Sequence, residues 1–138
     1  MRPNGNDQTK EGLENFTRYF FDLLSYGFET GDVDGWLKLT NPECKFCANL
    51  ASGIRAGYAD GKWLGGARVF AENVDAMTKD GALTGNVTLV VRQEQIRFFN
   101  AEGAEIREPK EQLEQAAVIF LSYKDGAWFV EDMGRLVG

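Results

Sequence analysis

The chain has 138 residues, 43% of them hydrophobic and 26% charged, the balance of one globular domain and not of a disordered tail. Fifteen Lys and Arg against 21 Asp and Glu leave a net charge of −6 with no basic run, which excludes a reader of the phosphate backbone of nucleic acids. Histidine is absent, so His-based triads, His general bases and His-ligated metals are excluded too.

No segment reaches the roughly 18 continuous apolar residues needed to span a bilayer. The opening stretch from Met1 to Thr9 is polar and lacks the apolar core of a signal peptide. Its Pro, Gly and Asn also fit the tether left when an export signal is trimmed. The expected organisation is a polar tether over 1–9 and a single domain over 10–138.

The first strong period starts at Leu13. Leu13, Phe16, Phe20, Leu23, Leu24, Gly27 and Phe28 fall on one face of a helix. Thr9 is the expected N-cap and Gly31 the stop. Asp32 or Asp34 caps a short second helix with Trp36, Leu37 and Leu39. Asn41-Pro42-Glu43 has the composition of a third helix start, with Asn41 as N-cap and Pro42 in the first turn. That helix carries Cys47, Leu50, Ala51, Ile54 and Tyr58 and ends at Asp60-Gly61.

After Gly65-Gly66 the period changes to two. Arg68 to Thr78 reads as a strand whose alternation breaks near Asn73. Lys79-Asp80-Gly81 is a turn. Val87 opens a long β-branched strand running to Phe99, and Asn100 to Gly103 is the next turn. Arg107 to Glu111 reads as a polar loop. Ala116 to Tyr123 is apolar on both parities, as in a central strand. Asp125-Gly126 is a hairpin turn, and Trp128 opens the last strand. The predicted fold class is α+β: N-terminal helices packed on a curved four-stranded antiparallel sheet.

Cys44 and Cys47 form a CxxC pair. A zinc site would need carboxylates or a second chain. A structural disulfide in an oxidising compartment is the plainest reading. Redox catalysis and a reduced pair stay open, although the strand-then-helix setting of thioredoxin-like motifs is missing.

The order of elements resembles the nuclear transport factor 2-like, or cystatin-like, cone. Several stretches also look like a narrower group: Glu11-Gly12-Leu13, Phe16 to Phe20, Tyr26 to Asp32, Pro42 to Cys47, Gly65-Gly66 and Asp125 to Trp128. Together they are similar to a family of actinobacterial lipoproteins, exported and anchored through an N-terminal lipidated cysteine. The resemblance implies a cell-envelope location, with signal and lipidation cysteine removed or upstream of Met1. It implies no catalytic residue and no cofactor.

The cone leaves a space between sheet and helices. Tyr26, Tyr58, Trp63, Phe70, Phe98 and Trp128 are the aromatic residues expected to line it. The leading expectation is a non-catalytic extracytoplasmic domain that binds a small apolar ligand or an envelope protein. It contacts the membrane only through the anchor, and pairs with a second copy through the outer sheet face. The alternatives are an isomerase- or dehydratase-like enzyme with one pocket carboxylate, drawn from Asp22, Asp75, Glu94, Glu131 or Asp132, and a thiol redox protein using Cys44 and Cys47.

Overall fold

A computed structural model describes residues 5–136. Helix α1 (Lys10–Thr30) begins where Thr9 Oγ1 accepts from the Gly12 N–H at 3.0 Å. It ends at Gly31, whose φ of 84° is left-handed and suits a residue without Cβ. The ring of Tyr58 packs against that glycine, where a Cβ would sit 2.6 Å from it. The buried stripe of α1 is the predicted one, widened by Thr17 and Phe21, with Leu23 half-buried at its edge. Helix α2 (Asp34–Leu37) follows with Val33, not Asp32 or Asp34, at its N-cap; the Asp32 carboxylate instead accepts from the Asp34 N–H at 3.1 Å.

Helix α3 (Lys45–Gly57) starts later than the composition suggests. Asn41 to Cys44 forms a tight turn, with the Cys44 N–H donating to the Asn41 carbonyl at 2.9 Å. Asn41 Oδ1 accepts from the Glu43 N–H within the same turn. Asn and Pro favour the first two turn positions as strongly as they favour helix starts, and here the turn wins. Cys44 is therefore the N-cap itself, three residues after the expected Asn41.

Among the described residues seven strands follow: β1 (Trp63–Gly66), β2 (Val69–Met77), β3 (Thr84–Gln93), β4 (Ile96–Phe99), β5 (Glu105–Lys110), β6 (Leu113–Lys124) and β7 (Ala127–Arg135). They form two antiparallel sheets. The larger has the order β2-β3-β6-β7, and the smaller has β1-β4-β5. The sheet of four matches the expectation; the sheet of three is additional.

The added sheet has one cause. The strand expected from Val87 to Phe99 is a ribbon bent at Glu94-Gln95. The facing chain bends at Gly66-Ala67, where φ is 70° and 65°. A Cβ on Gly66 would lie 2.4 Å from the Gln95 carbonyl oxygen, so this corner needs glycine. Ala67 N–H donates to that carbonyl at 3.1 Å, and the Gln93 side chain donates to the Ala67 carbonyl at 3.1 Å. The bend folds β1 and β4 away from the main sheet and opens the cone. Strand β5 occupies the supposed polar loop. It is an edge strand containing Pro109 and exposed along nearly its whole length, so it shows no alternation to read.

The main sheet curves round α1. Val87 and Leu89 of β3 and Ala117, Ile119 and Leu121 of β6 are buried beneath Leu13, Phe16, Phe20 and Phe21. The expected break in β2 is a bulge between Glu72 and Asp75, with Asn73 at φ 52°. Asp125-Gly126 makes the expected hairpin, both residues at positive φ. At that end of the sheet the N-terminal segment is tied down. The carbonyls of Asn6 and Asp7 accept from Tyr123 Oη and Trp128 Nε1 at 2.8 and 2.9 Å, and Gln8 donates to the carbonyls of Gly81 and Ala82. Residues 1–4 of the expected tether lie outside the described residues.

Candidate functional site

A cavity of about 730 Å³ opens at the other end of β6 and β7. Its floor is the concave face of the main sheet, through Val69, Val91, Ala117 and Met133. Phe21, Leu24 and Phe28 of α1 form its roof. Leu50, Gly53, Ile54 and Gly57 of α3 form one side, and Leu64, Ile96 and Phe98 of the small sheet form the other. The volume falls within the roughly 300–1,000 Å³ of small-molecule sites, and the walls are largely aliphatic and aromatic.

The bent ribbon builds this space. The corner at Gly66 and Gln95 turns β1 and β4 off the main sheet and brings Leu64 of β1 against Gly57 at the end of α3. The α2–α3 segment is held to β7 by a short parallel bridge: Asn41 N–H donates to the Val130 carbonyl at 2.8 Å, and Val130 N–H to the Leu39 carbonyl at 2.7 Å. Glu131 completes the clamp, accepting from Asn41 Nδ2 at 2.7 Å, Ser122 Oγ at 2.8 Å and Lys124 Nζ at 3.1 Å.

Two of the six predicted aromatic residues line the cavity. Phe98 is in its wall, and Trp63 stands at its mouth, 39% exposed and stacked on Phe99 with centroids 4.2 Å apart. The other four lie elsewhere. Tyr26 is 48% exposed on the outer side of α1. Tyr58 turns back to α1, where its hydroxyl donates to the Phe28 carbonyl at 2.7 Å. Phe70 lies on the outer sheet face beneath the Arg92 guanidinium. Trp128 is buried at the closed end, its indole committed to Asp7. Helix and strand direction sort these residues, and sequence spacing gave no sight of the bend that sets it.

None of the five candidate carboxylates lines the cavity. Asp22 is exposed on α1. Asp75 pairs with Lys10 at the β2 bulge. The N–H of Ala76, beyond that bulge, donates to Glu14 at 3.0 Å. Burial pushes the Glu14 carboxyl up, but hydrogen bonds from Lys10 and Ala76 outweigh it and hold it below its ordinary value. Glu94 sits in the β3–β4 bend, and the Asp132 carboxylate accepts from the neighbouring Met133 N–H. Glu131 is held low by the hydrogen bonds from Asn41 and Ser122. A proton-abstracting carboxylate needs the opposite shift.

Cys44 and Cys47 are joined, with sulfurs 2.15 Å and Cα atoms 5.3 Å apart. Cys44 Sγ also accepts from the Cys47 N–H, closing the first turn of α3. Both residues are at most 2% exposed, which denies an attacking thiolate access. Among the described residues no cluster of Cys, Asp and Glu could hold a metal, and no helix is long and apolar enough to cross a membrane.

Sequence reasoning missed the charged and apolar rim of the cavity. Phe46, Ile106 and Leu113 lie at its mouth together with Lys62, Arg107, Lys110, Glu111 and Arg135. The only signal was the unremarkable Arg107-Glu108-Pro109-Lys110 run, which reads as a loop.

No curated protein matches this chain. Solved structures do. The intermembrane space region of the chloroplast protein ARC6 superposes with a TM-score of 0.63 at 7% identity, over 94% of this chain and 97% of that one. The association domain of C. elegans CaMKII gives 0.57 at 12% identity, over 93% and 98%. A protein with a cystatin-like fold from Caulobacter vibrioides gives 0.54 at 8% identity, over 89% and 87%. At such identities the likeness is one of fold: the α+β, cystatin-like cone. The profile of one family covers nearly the whole chain, residues 1–134, and the chain belongs to that family of unknown function, DUF6318.

Proposed function

We propose that this is a non-catalytic extracytoplasmic domain that holds a small apolar ligand between sheet and helices. In the full-length protein it is tethered to the cell envelope by a lipid anchor. The observation that carries the reading is the 730 Å³ cavity with its aliphatic and aromatic walls. The buried disulfide supports the compartment, because such bonds persist where the surroundings oxidise. Among the described residues no carboxylate but Glu111, at the rim, lines the cavity, which favours binding over acid/base chemistry.

The test is a fluorescence titration with N-phenyl-1-naphthylamine, a neutral apolar probe. Saturable one-to-one binding is expected, lost in Gly53→Leu, which places a side chain in the cavity from its α3 side. Absence of saturable binding to the native protein would remove the reading.

A second reading concerns self-association, and Phe120 favours it. This residue lies mid-strand on β6 and is 46% exposed on the outer face of the main sheet. Phe70, Val90, Val118 and Phe129 are half-buried. A second copy laid on this face would cover it.

A further inference from the structure

The cavity lining is cationic although the protein is not. In a chain of net charge −6, its charged residues among those described are Lys62, Arg107, Lys110 and Arg135 against Glu111. Elsewhere, Arg55, Arg68, Arg92 and Arg97 are each paired with a carboxylate. Among the described residues, Arg107 and Arg135 have no such partner. Arg107 is held instead by stacking: its guanidinium lies 4.1 Å from the centroid of Phe98, a wall residue of the cavity. Stacking fixes the plane of the group and leaves its N–H donors for another acceptor, in the fork that suits a carboxylate or phosphate.

The same rim is apolar between its charges. Phe46, Trp63, Ile106 and Leu113 are 37–46% exposed there. Deeper in, the walls carry no charge, so an ionised group would be costly to bury and must remain at the mouth. Apolar depth, apolar lip and a surplus of cations at the lip select one ligand shape.

Resting on the cavity reading above, we propose that the ligand is a single-chain amphiphile with an acidic head. Its chain lies along the concave sheet, and its head is held at the mouth by Arg107 and Arg135, with Lys62 and Lys110 adding positive potential. A neutral apolar molecule gains nothing from four cations, and a cationic amphiphile is repelled by them.

The experiment is calorimetric titration with dodecanoate, dodecan-1-ol and dodecyltrimethylammonium, each below its aggregation concentration, at pH 8. Dodecanoate is expected to bind one to one and about tenfold or more tighter than dodecan-1-ol, as charge-assisted hydrogen bonds imply, with the ammonium weakest. Arg107→Gln with Arg135→Gln should remove most of that advantage and leave dodecan-1-ol unchanged. Shortening the carboxylate from twelve to ten carbons should weaken it about fifteenfold, near fourfold per methylene, if the chain enters the cavity. Equal affinity for the three heads, or an equal effect of the double variant on acid and alcohol, would overturn the acidic head and leave the cavity reading intact. Failure of all three to bind would overturn both.

Discussion

Two glycines of α3, one turn apart, should respond to the same substitution with opposite sign. Gly53 lies inside the helix, and a Cβ there would meet nothing within 4 Å. Glycine in a helix interior costs about 1 kcal/mol relative to alanine, mostly backbone entropy of the unfolded chain. Gly53→Ala should therefore raise stability by about that amount. For a chain of this length, about 1 kcal/mol is about 3 °C in Tm. Gly57 is the last helical residue, where the propensity gain is smaller. Its Cβ would come within 2.9 Å of Leu64 Cδ2 and 3.1 Å of both Cδ1 and Cγ. Leu64 is buried, and its whole isobutyl group would have to shift, an overpacking cost of about 1–3 kcal/mol. Gly57→Ala should thus lower Tm, by about 3–9 °C before the small propensity gain is subtracted. Thermal melts by circular dichroism at equal pH and concentration measure both. Gly57→Ala melting at or above Gly53→Ala would refute the packing argument, and with it the close approach of α3 to β1 that forms one corner of the cavity. Gly53→Leu extends the test to the site. It should keep the helix gain while blocking N-phenyl-1-naphthylamine, so that stability and binding move apart.

Cys44→Ser opens a four-residue loop, and the chain-entropy model puts that at about 2 kcal/mol, or about 6 °C in Tm, with the fold intact. Loss of folding would show that the bond does more than staple one helical turn. Glu131→Gln should destabilise at neutral pH through the weakened clamp on Asn41 and Ser122. The folded-state pKa of Glu131 lies below its ordinary 4.5, so its contribution is complete above 4.5 and is lost as pH falls through the folded value. The Tm gap between variant and native protein should therefore close below pH 4.5; a gap constant down to pH 3 would assign the effect to something other than the charge. Phe120→Glu should leave the melt nearly unchanged and convert a dimer to a monomer in light scattering. A native protein that is monomeric at high concentration would dispose of self-association through this face.

The elements that local chemistry decides were legible in the residues. Thr9 caps α1, Gly31 ends it, Asp125-Gly126 turns the last hairpin, and the broken alternation near Asn73 marks a bulge. What failed did so where two local rules compete or where tertiary geometry decides. Asn41-Pro42 obeys turn and helix-start preferences equally, and only the bridge to Val130 selects the turn. Val87 to Phe99 is β-branched and aromatic throughout, so nothing in its pattern announces the corner at Glu94-Gln95. That corner is set by the partner chain, where Gly66 brings its backbone up to the Gln95 carbonyl. The aromatic residues of the site were legible only in part, two of six, for the same reason. Trp63 and Phe98 lie just beyond the corner, on the strands it folds over, while Phe70 and Trp128 belong to the main sheet and point where its alternation and its closed end dictate.

The distribution of stabilising contacts supports the position of the site. At the closed end the indole of Trp128, the hydroxyl of Tyr123 and the side chain of Gln8 tie the N-terminal segment to the sheet. The salt bridges of Lys10 with Glu14 and Asp75 sit at the start of α1, and the clamp of Glu131 lies mid-way along β7. The cavity end has ties of its own: Arg97 pairs with Glu105 across the small sheet, Arg68 with Glu29, and the Cys44–Cys47 disulfide closes the first turn of α3. Its lip is edge strand β5, the final residues of β7 and the first turns of α3, with Phe46, Ile106 and Leu113 substantially exposed. Local opening free energies follow buried contacts and internal hydrogen bonds, so exposed edge strand β5 is the part of this lip that yields at least cost. A ligand enters most readily where the frame has least to lose, and along this lip that is β5, paired on one side only.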